Sequence, residues 1–160
     1  MASGFKIISG GQNGADRIAL EVAQEFGIPT GGTAPKGFRT SKGYDVSLRY
    51  AFHLKESKSW SYPSRTMQNV DDADATLIFQ SRDSTGTKKT LGYCMTGKWV
   101  CPKRIPPIQP HRPYIIVDLL APSAQEMIEK VQGFIREKVQ TTLNVAGHTN
   151  VDGCEWNMLL

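Results

Sequence analysis

The opening 27 residues carry the pattern that most narrows what this chain can fold into. Residues 5–8, Phe-Lys-Ile-Ile, form a short apolar run that stops at Ser9-Gly10-Gly11. Ile18, Ala19, Val22, Ala23 and Phe26 then recur at helical spacing, and Gly27 followed by Pro29 ends that helix. Strand, glycine turn and amphipathic helix in succession open a doubly wound α/β domain, because parallel strands need crossover helices between them.

The rest of the chain continues that alternation. Residues 28–43, rich in Gly, Thr and Pro, read as a short strand and a loop. Residues 53–56 read as another short strand and residues 65–73 as a helix. The run Ala75-Thr76-Leu77-Ile78-Phe79 has the near-continuous apolar character of a strand buried on both faces. A polar loop over 81–87 leads into a helix reaching about Gly97, and residues 100–113 form a basic, proline-rich, exposed excursion. A strand follows over 114–119. Ser123 and Glu126 then make a capping box ahead of Met127, Ile128, Val131, Phe134 and Ile135 on one helical face. Residues 142–146 read as the last strand. The expectation is a single Rossmann-like, doubly wound α/β domain over 1–160, with a mainly parallel central sheet flanked by helices. Its core spans 5–147 and its tail 148–160.

A length of 160 residues suits one domain with a real core. Charged residues make up 21% and apolar residues 39%, an ordinary globular balance rather than a disordered one. Lys and Arg number 19 against 15 Asp and Glu, a net +4. That excess suits a small anionic ligand but not the dense basic stripe of a nucleic-acid binder. The apolar runs are strand-sized and no cleavable leader precedes the first, so neither membrane nor export is expected, and the cytoplasm is. Three cysteines without a Cys-x-x-Cys pair and three scattered histidines argue against a disulfide framework and against a protein-held metal.

Ligands of open parallel sheets bind outside the carboxyl ends of the strands, where loops enter helix N-termini. Three loops qualify. The first is Ser9-Gly10-Gly11-Gln12-Asn13-Gly14, glycine-dense yet neither a dinucleotide fingerprint nor a Walker A sequence. A tight turn packing helix on sheet accounts for it equally well. The second carries Lys36, Gly37 and Arg39, cations beside a glycine that suit a phosphate. The third holds Ser84, Thr85, Gly86, Thr87 and Thr90, all able to donate hydrogen bonds, with Lys88 and Lys89 placed in the first turn of the coming helix. Cations there oppose the helix dipole unless an anion binds at the same end. Arg65 and Asn69 stand one helical turn apart, as a ligand clamp would, or Arg65 pairs with Asp72. Asp16 suits the start of its helix, with Arg17 as its expected partner. No nucleophile elbow and no His-Glu-x-x-His occur, so no catalytic residue is assigned.

The runs SGGQNGADRIALEVAQEFGIPTGGTAPKGFRT, RTMQNVDDADATLIF, IIVDL and TLNVAG together resemble the molybdenum carrier family. The resemblance covers most of residues 5–147 and includes the algal molybdenum cofactor carrier proteins. It implies a fold related to the lysine-decarboxylase-like (LOG) proteins and a homo-oligomer, tetramer or dimer. It also implies molybdenum cofactor (molybdopterin) or molybdate as bound cargo, with molybdoenzymes as recipients. The cofactor's own dithiolene sulfurs hold its metal, so no protein metal ligand is required.

Relatives with phosphoribohydrolase activity carry Pro-Gly-Gly-x-Gly-Thr-x-x-Glu in the third loop. Gly86-Thr87 matches the Gly-Thr and Arg65 their upstream arginine, but Thr90 stands where the glutamate would act as acid/base. The resemblance therefore leans toward a non-catalytic carrier. A phosphoribohydrolase-like enzyme and a nucleotide-binding sensor are the alternatives, since pterin phosphate and nucleotide phosphate ask for the same donors. After Ala146-Gly147, His148-Thr149-Asn150 replaces the family's Pro-Arg-Glu-Ser-like run.

Overall fold

The computed structural model describes residues 4–80, 84–102, 105–119 and 122–148. Strand β1 (Lys6–Ser9) runs into helix α1 (Ala15–Glu25), which leads to strand β2 (Thr30–Gly31) and a compact insert. The insert comprises β3 (Thr33–Ala34), β4 (Arg39–Thr40), β5 (Gly43–Tyr44), the single turn α2 (Ser47–Tyr50) and β6 (Lys55–Glu56). Helix α3 (Tyr62–Asp72), strand β7 (Ala75–Gln80), helix α4 (Thr85–Thr96) and strand β8 (Tyr114–Asp118) follow. Helix α5 (Ala124–Lys138) and strand β9 (Thr142–Gly147) come last.

Five strands form one parallel sheet in the order β2-β1-β9-β7-β8. A classic doubly wound half-sheet places its first strand at the centre, in the order 3-2-1-4-5. Here β9 holds that place, with Leu143 opposite Ile7 on one side and Ala75 on the other. The domain is Rossmann-like, and its last strand fills the middle.

Pleating sends alternate residues to opposite faces. Leu77 and Phe79 of β7 join Ile7, Leu143 and Val145 against Ala15 and Ala23 of α1 and Val131 of α5. Ile78 points the other way, onto Val70 of α3 and Leu91 and Cys94 of α4. Both faces are covered, which is why β7 reads as an unbroken apolar run. Each such side chain contributes about 1.5–3 kcal/mol by leaving water. A satellite core of Leu20, Ala34, Phe38, Leu48, Phe52 and Leu54 lies under the insert.

Serine caps set three helix starts. The hydroxyls of Ser61, Ser84 and Ser123 accept the N–H groups of Ser64, Thr87 and Glu126 at 3.4, 3.3 and 3.3 Å, each a cap worth about 1 kcal/mol. Ser61 and the Pro63 behind it begin α3 three residues before Arg65, earlier than its apolar spacing indicates. Helix α4 starts at Thr85, so Lys88 and Lys89 fall just past its first turn and the dipole argument for them loses force.

The excursion is exposed over the described residues 105–110, but both its ends are pinned. A Cβ on Gly92 would sit 1.8 Å from the Val100 carbonyl oxygen, so the segment after α4 packs directly on that helix. The N–H groups of His111 and Arg112 donate to the carbonyls of Met95 and Cys94, and His111 pairs with Asp71 at 2.9 Å. Among the described residues Cys94 and Cys101 are both free, and no helix is long and apolar enough to cross a membrane.

Candidate functional site

A cleft of about 390 Å³ opens at the carboxyl edge of the three middle strands, within the range of small-molecule sites. Residues just beyond β1 and β7 and at the end of β9 line it: Gln12 and Asp16, Ser84 and Gly86, Ala146 and Gly147. Arg65 and Tyr62 of α3, Thr87 and Thr90 of α4, and Trp99, just ahead of the excursion, close its walls.

The first loop folds inward. The Gly11 N–H donates to Ser9 Oγ at 3.2 Å and the Gln12 N–H to Asp16 Oδ2 at 3.3 Å. Gln12 Nε2 donates to the carbonyls of Gly10 and Arg39, and Asn13 Nδ2 to Ser41 Oγ at 2.7 Å, tying this loop to the insert. Gly10 makes room for a side chain of the protein itself, since a Cβ there would sit 1.9 Å from Arg65 Nη1. Gly11, at φ +69, packs on Leu48 and Leu54, and Gly14, at φ 86, caps α1. Of this loop's expected contacts, Gln12 alone lines the cleft.

In the second loop Lys36 lies over the Trp60 ring at 5.3 Å, and the Gly37 N–H donates to Glu56 at 2.7 Å. The Arg39 guanidinium stacks on Tyr62 at 4.7 Å and donates to the Trp60 carbonyl. These residues build an aromatic rim, and only Tyr62 of that rim reaches the cleft. Asn69 is fully committed elsewhere: it accepts the Thr33 N–H at 2.7 Å and donates to the Thr33 carbonyl at 2.9 Å. It holds β3 in place while Arg65, one turn earlier, faces the cleft.

The third loop meets the expectation most closely. Ser84, Gly86, Thr87 and Thr90 all line the cleft, and Thr85 sits beside them as an exposed first residue of α4. Amides of a first helical turn have no partner inside the helix, so this end attracts negative charge. Thr90 Oγ1 donates back to the Gly86 carbonyl at 3.0 Å, and Thr87 Oγ1 meets His148 Nδ1 at 3.1 Å. Arg82 and Asp83 of this loop, and the tail beyond His148, lie outside the described residues.

The charges differ from the pairing expected from sequence. Arg17 binds Glu21 and Asp45, both at 2.9 Å, and Asp16 pairs with Arg65 across 3.5 Å. Helical spacing pointed to Asp72 for Arg65, but Gln68 donates to that carboxylate at 2.8 Å. Both members of the cleft pair are buried, Asp16 at 4% and Arg65 at 9% exposure. Burial pushes the Asp16 carboxyl up to about 6, against the opposing pull of Arg65 and the N–H groups of Gln12 and Gly10. The buried Nε of Arg65 has no hydrogen-bond partner among the described residues. Asp16, Tyr62 and Trp99 are among the lining residues that sequence reasoning missed, with Ser41, Thr66, Ile78, Ala146 and Gly147. Asp16 was hidden because a carboxylate at a helix start already has a sufficient local reason to be there.

No cluster of His, Cys, Asp and Glu among the described residues is arranged to hold a metal ion. Hydroxyls, helix amides and one buried guanidinium are donors suited to an oxyanion or phosphate.

The domain is thus a Rossmann-like α/β domain with a small-molecule-sized cleft at the carboxyl edge of its parallel sheet. The profile of the circularly permutated YpsA SLOG family matches residues 7–153, and this chain belongs to that family. The central position of the last strand is what a circular permutation of the doubly wound order produces. The chain is also similar to the crystal structure named putative molybdenum carrier protein from Syntrophus aciditrophicus SB. That similarity is 31% identity over 89% of this chain and 81% of the other, with a TM-score of 0.73. No curated protein matches.

Proposed function

We propose that this protein is a carrier that holds molybdenum cofactor by its phosphate-bearing end, shields it from oxidation and releases it to molybdoenzymes. One observation carries the reading: a buried arginine whose Nε has no partner among the described residues faces the hydroxyl-rich N-terminus of α4 across a small-molecule-sized cleft. The name of the Syntrophus aciditrophicus relative supports molybdenum-related cargo. Arg65 and the first-turn amides of α4 take the phosphate, and Ser84 and Thr87 supply further contacts. Lys36 and Arg39 on the aromatic rim keep the approach positive. The carrier works in the cytoplasm as a homo-oligomer, dimer or tetramer.

A second reading is favoured by one feature. Asp16 places an acid able to change protonation near neutrality inside the cleft, as a nucleotide-cleaving relative would need. Thr90, at the position of those relatives' glutamate, has no such capacity. Anaerobic titration with molybdenum cofactor, scored by cofactor surviving later exposure to air, separates the readings when nucleoside monophosphates are run in parallel. The carrier reading expects saturable protection and inert nucleotides. Release of free base without protection would replace it with the enzymatic one, and tight nucleotide binding without turnover would replace it with the sensor.

A further inference from the structure

The Asp16–Arg65 pair is an unusual thing to bury at the bottom of an anion cleft. The contact is single and long, Nη1 to Oδ2 at 3.5 Å, rather than a two-pronged fork. With Asp16 ionised the pair is neutral, so an incoming anion meets a negative carboxylate as well as a positive guanidinium in one small cavity. Two anionic oxygens close together in a desolvated site do not both stay ionised, and one proton settles between them.

We propose that Asp16 makes this cleft selective for a phosphate group that brings its own proton. The P–OH donates to the Asp16 carboxylate while Arg65 and the α4 amides take the remaining oxygens. The inference rests on the carrier reading and narrows its ligand to the phosphate end of the cofactor. A bare tetraoxo anion with no proton near neutral pH, such as sulfate or molybdate, is disfavoured.

Among the described residues that line the cleft, Asp16 is the carboxylate that can take this role. From α3 it faces Arg65, with the Tyr62 ring 5.6 Å from that guanidinium. From its own loop it receives the N–H groups of Gln12 and Gly10. The lining residues of α4 and β9 are not titratable; the His148 ring, outside the lining, meets Thr87 Oγ1 at 3.1 Å, and Lys88 and Lys89 also lie outside it. A phosphate monoester loses its second proton near pH 6, in the range where Asp16 also changes state, so an ester that has lost it at higher pH regains it on binding at far smaller cost than sulfate or molybdate would.

Calorimetric titration of the full chain with inorganic phosphate, sulfate and molybdate tests this, between pH 5.5 and 8 in buffers of different ionisation heat. At pH 7.5 phosphate binds roughly tenfold or more tightly than sulfate or molybdate. Sulfate binding takes up about one proton and weakens about tenfold per pH unit above 6. In Asp16→Asn the preference collapses and sulfate gains affinity. Equal affinities without proton uptake in the wild type would overturn the proposal and leave the anion cleft intact. An unchanged preference in Asp16→Asn would overturn it too. Should that variant fail to fold, the wild-type proton count alone decides. No saturable binding of any of the three would remove the cleft and this proposal together, whereas intact selectivity without cofactor protection would remove the carrier reading alone.

Discussion

A methyl group on Gly10 would lie 1.9 Å from Arg65 Nη1 and 2.8 Å from its Cδ. Arg65 therefore lies flat on the first loop because that position has no side chain. Gly10→Ala displaces the guanidinium while leaving the backbone an ordinary conformation to adopt. Phosphate affinity should fall tenfold or more, with a stability loss of only about 1 kcal/mol in urea denaturation. Asp16 also leaves a mark on stability. Its folded value, about 6, lies above the ordinary carboxylate range, so its contribution is full at low pH and is lost as pH rises through 6. Asp45, held low by the Ser47 hydroxyl and then by Arg17, acts in the opposite sense and loses its contribution as pH falls through the acid range. Denaturation midpoints should therefore decline by the equivalent of about 1 kcal/mol between pH 5 and 7.5, and Asp16→Asn should flatten that limb. A wild-type curve level across that interval would show Asp16 to be charged throughout.

Strand β9 is aligned by one carboxylate at its entrance. Asp74 Oδ2 accepts the N–H groups of Gln140, Thr141 and Thr142 at 3.0, 2.7 and 3.0 Å. Burial alone would raise its carboxyl, but these bonds together hold it below the ordinary range. Asp74→Ala should cost about 2 kcal/mol, concentrated in the β9 amides when followed by hydrogen exchange. Asp74 was invisible in the sequence because its partners are more than sixty residues away. Elements with a local cause were legible. The apolar run of β7, the glycine after β1, and the α5 cap at Ser123 with its apolar face all matched. Two-residue strands such as β3 and β4 were not separable from loop, since so short a stretch has no period to read. The third loop was legible because hydroxyls and glycine at a helix start have few other uses. In the first loop, glycines that admit Arg65 and Leu48 look the same in sequence as glycines that admit a ligand.

At the scale of the whole molecule, a local pattern places a strand but not its neighbours. Residues 142–146 read as a strand, yet nothing in them says that β1 and β7 lie on either side. That arrangement makes the sheet indivisible. A chain ending at 138 would keep β1 with β2 and β7 with β8 but lose the strand that joins the two pairs. It should show no cooperative urea transition, and a sharp one would mean that either half is stable alone. The same arrangement bears on how the protein is made. A ribosome delivers β1 and β7 long before β9, so the nascent chain carries two apolar strands whose inner edges wait for a partner still inside the exit tunnel. Such edges pair readily with other chains. Production of this protein in a cell should accordingly be sensitive to translation speed and to chaperones that shield newly emerging strands.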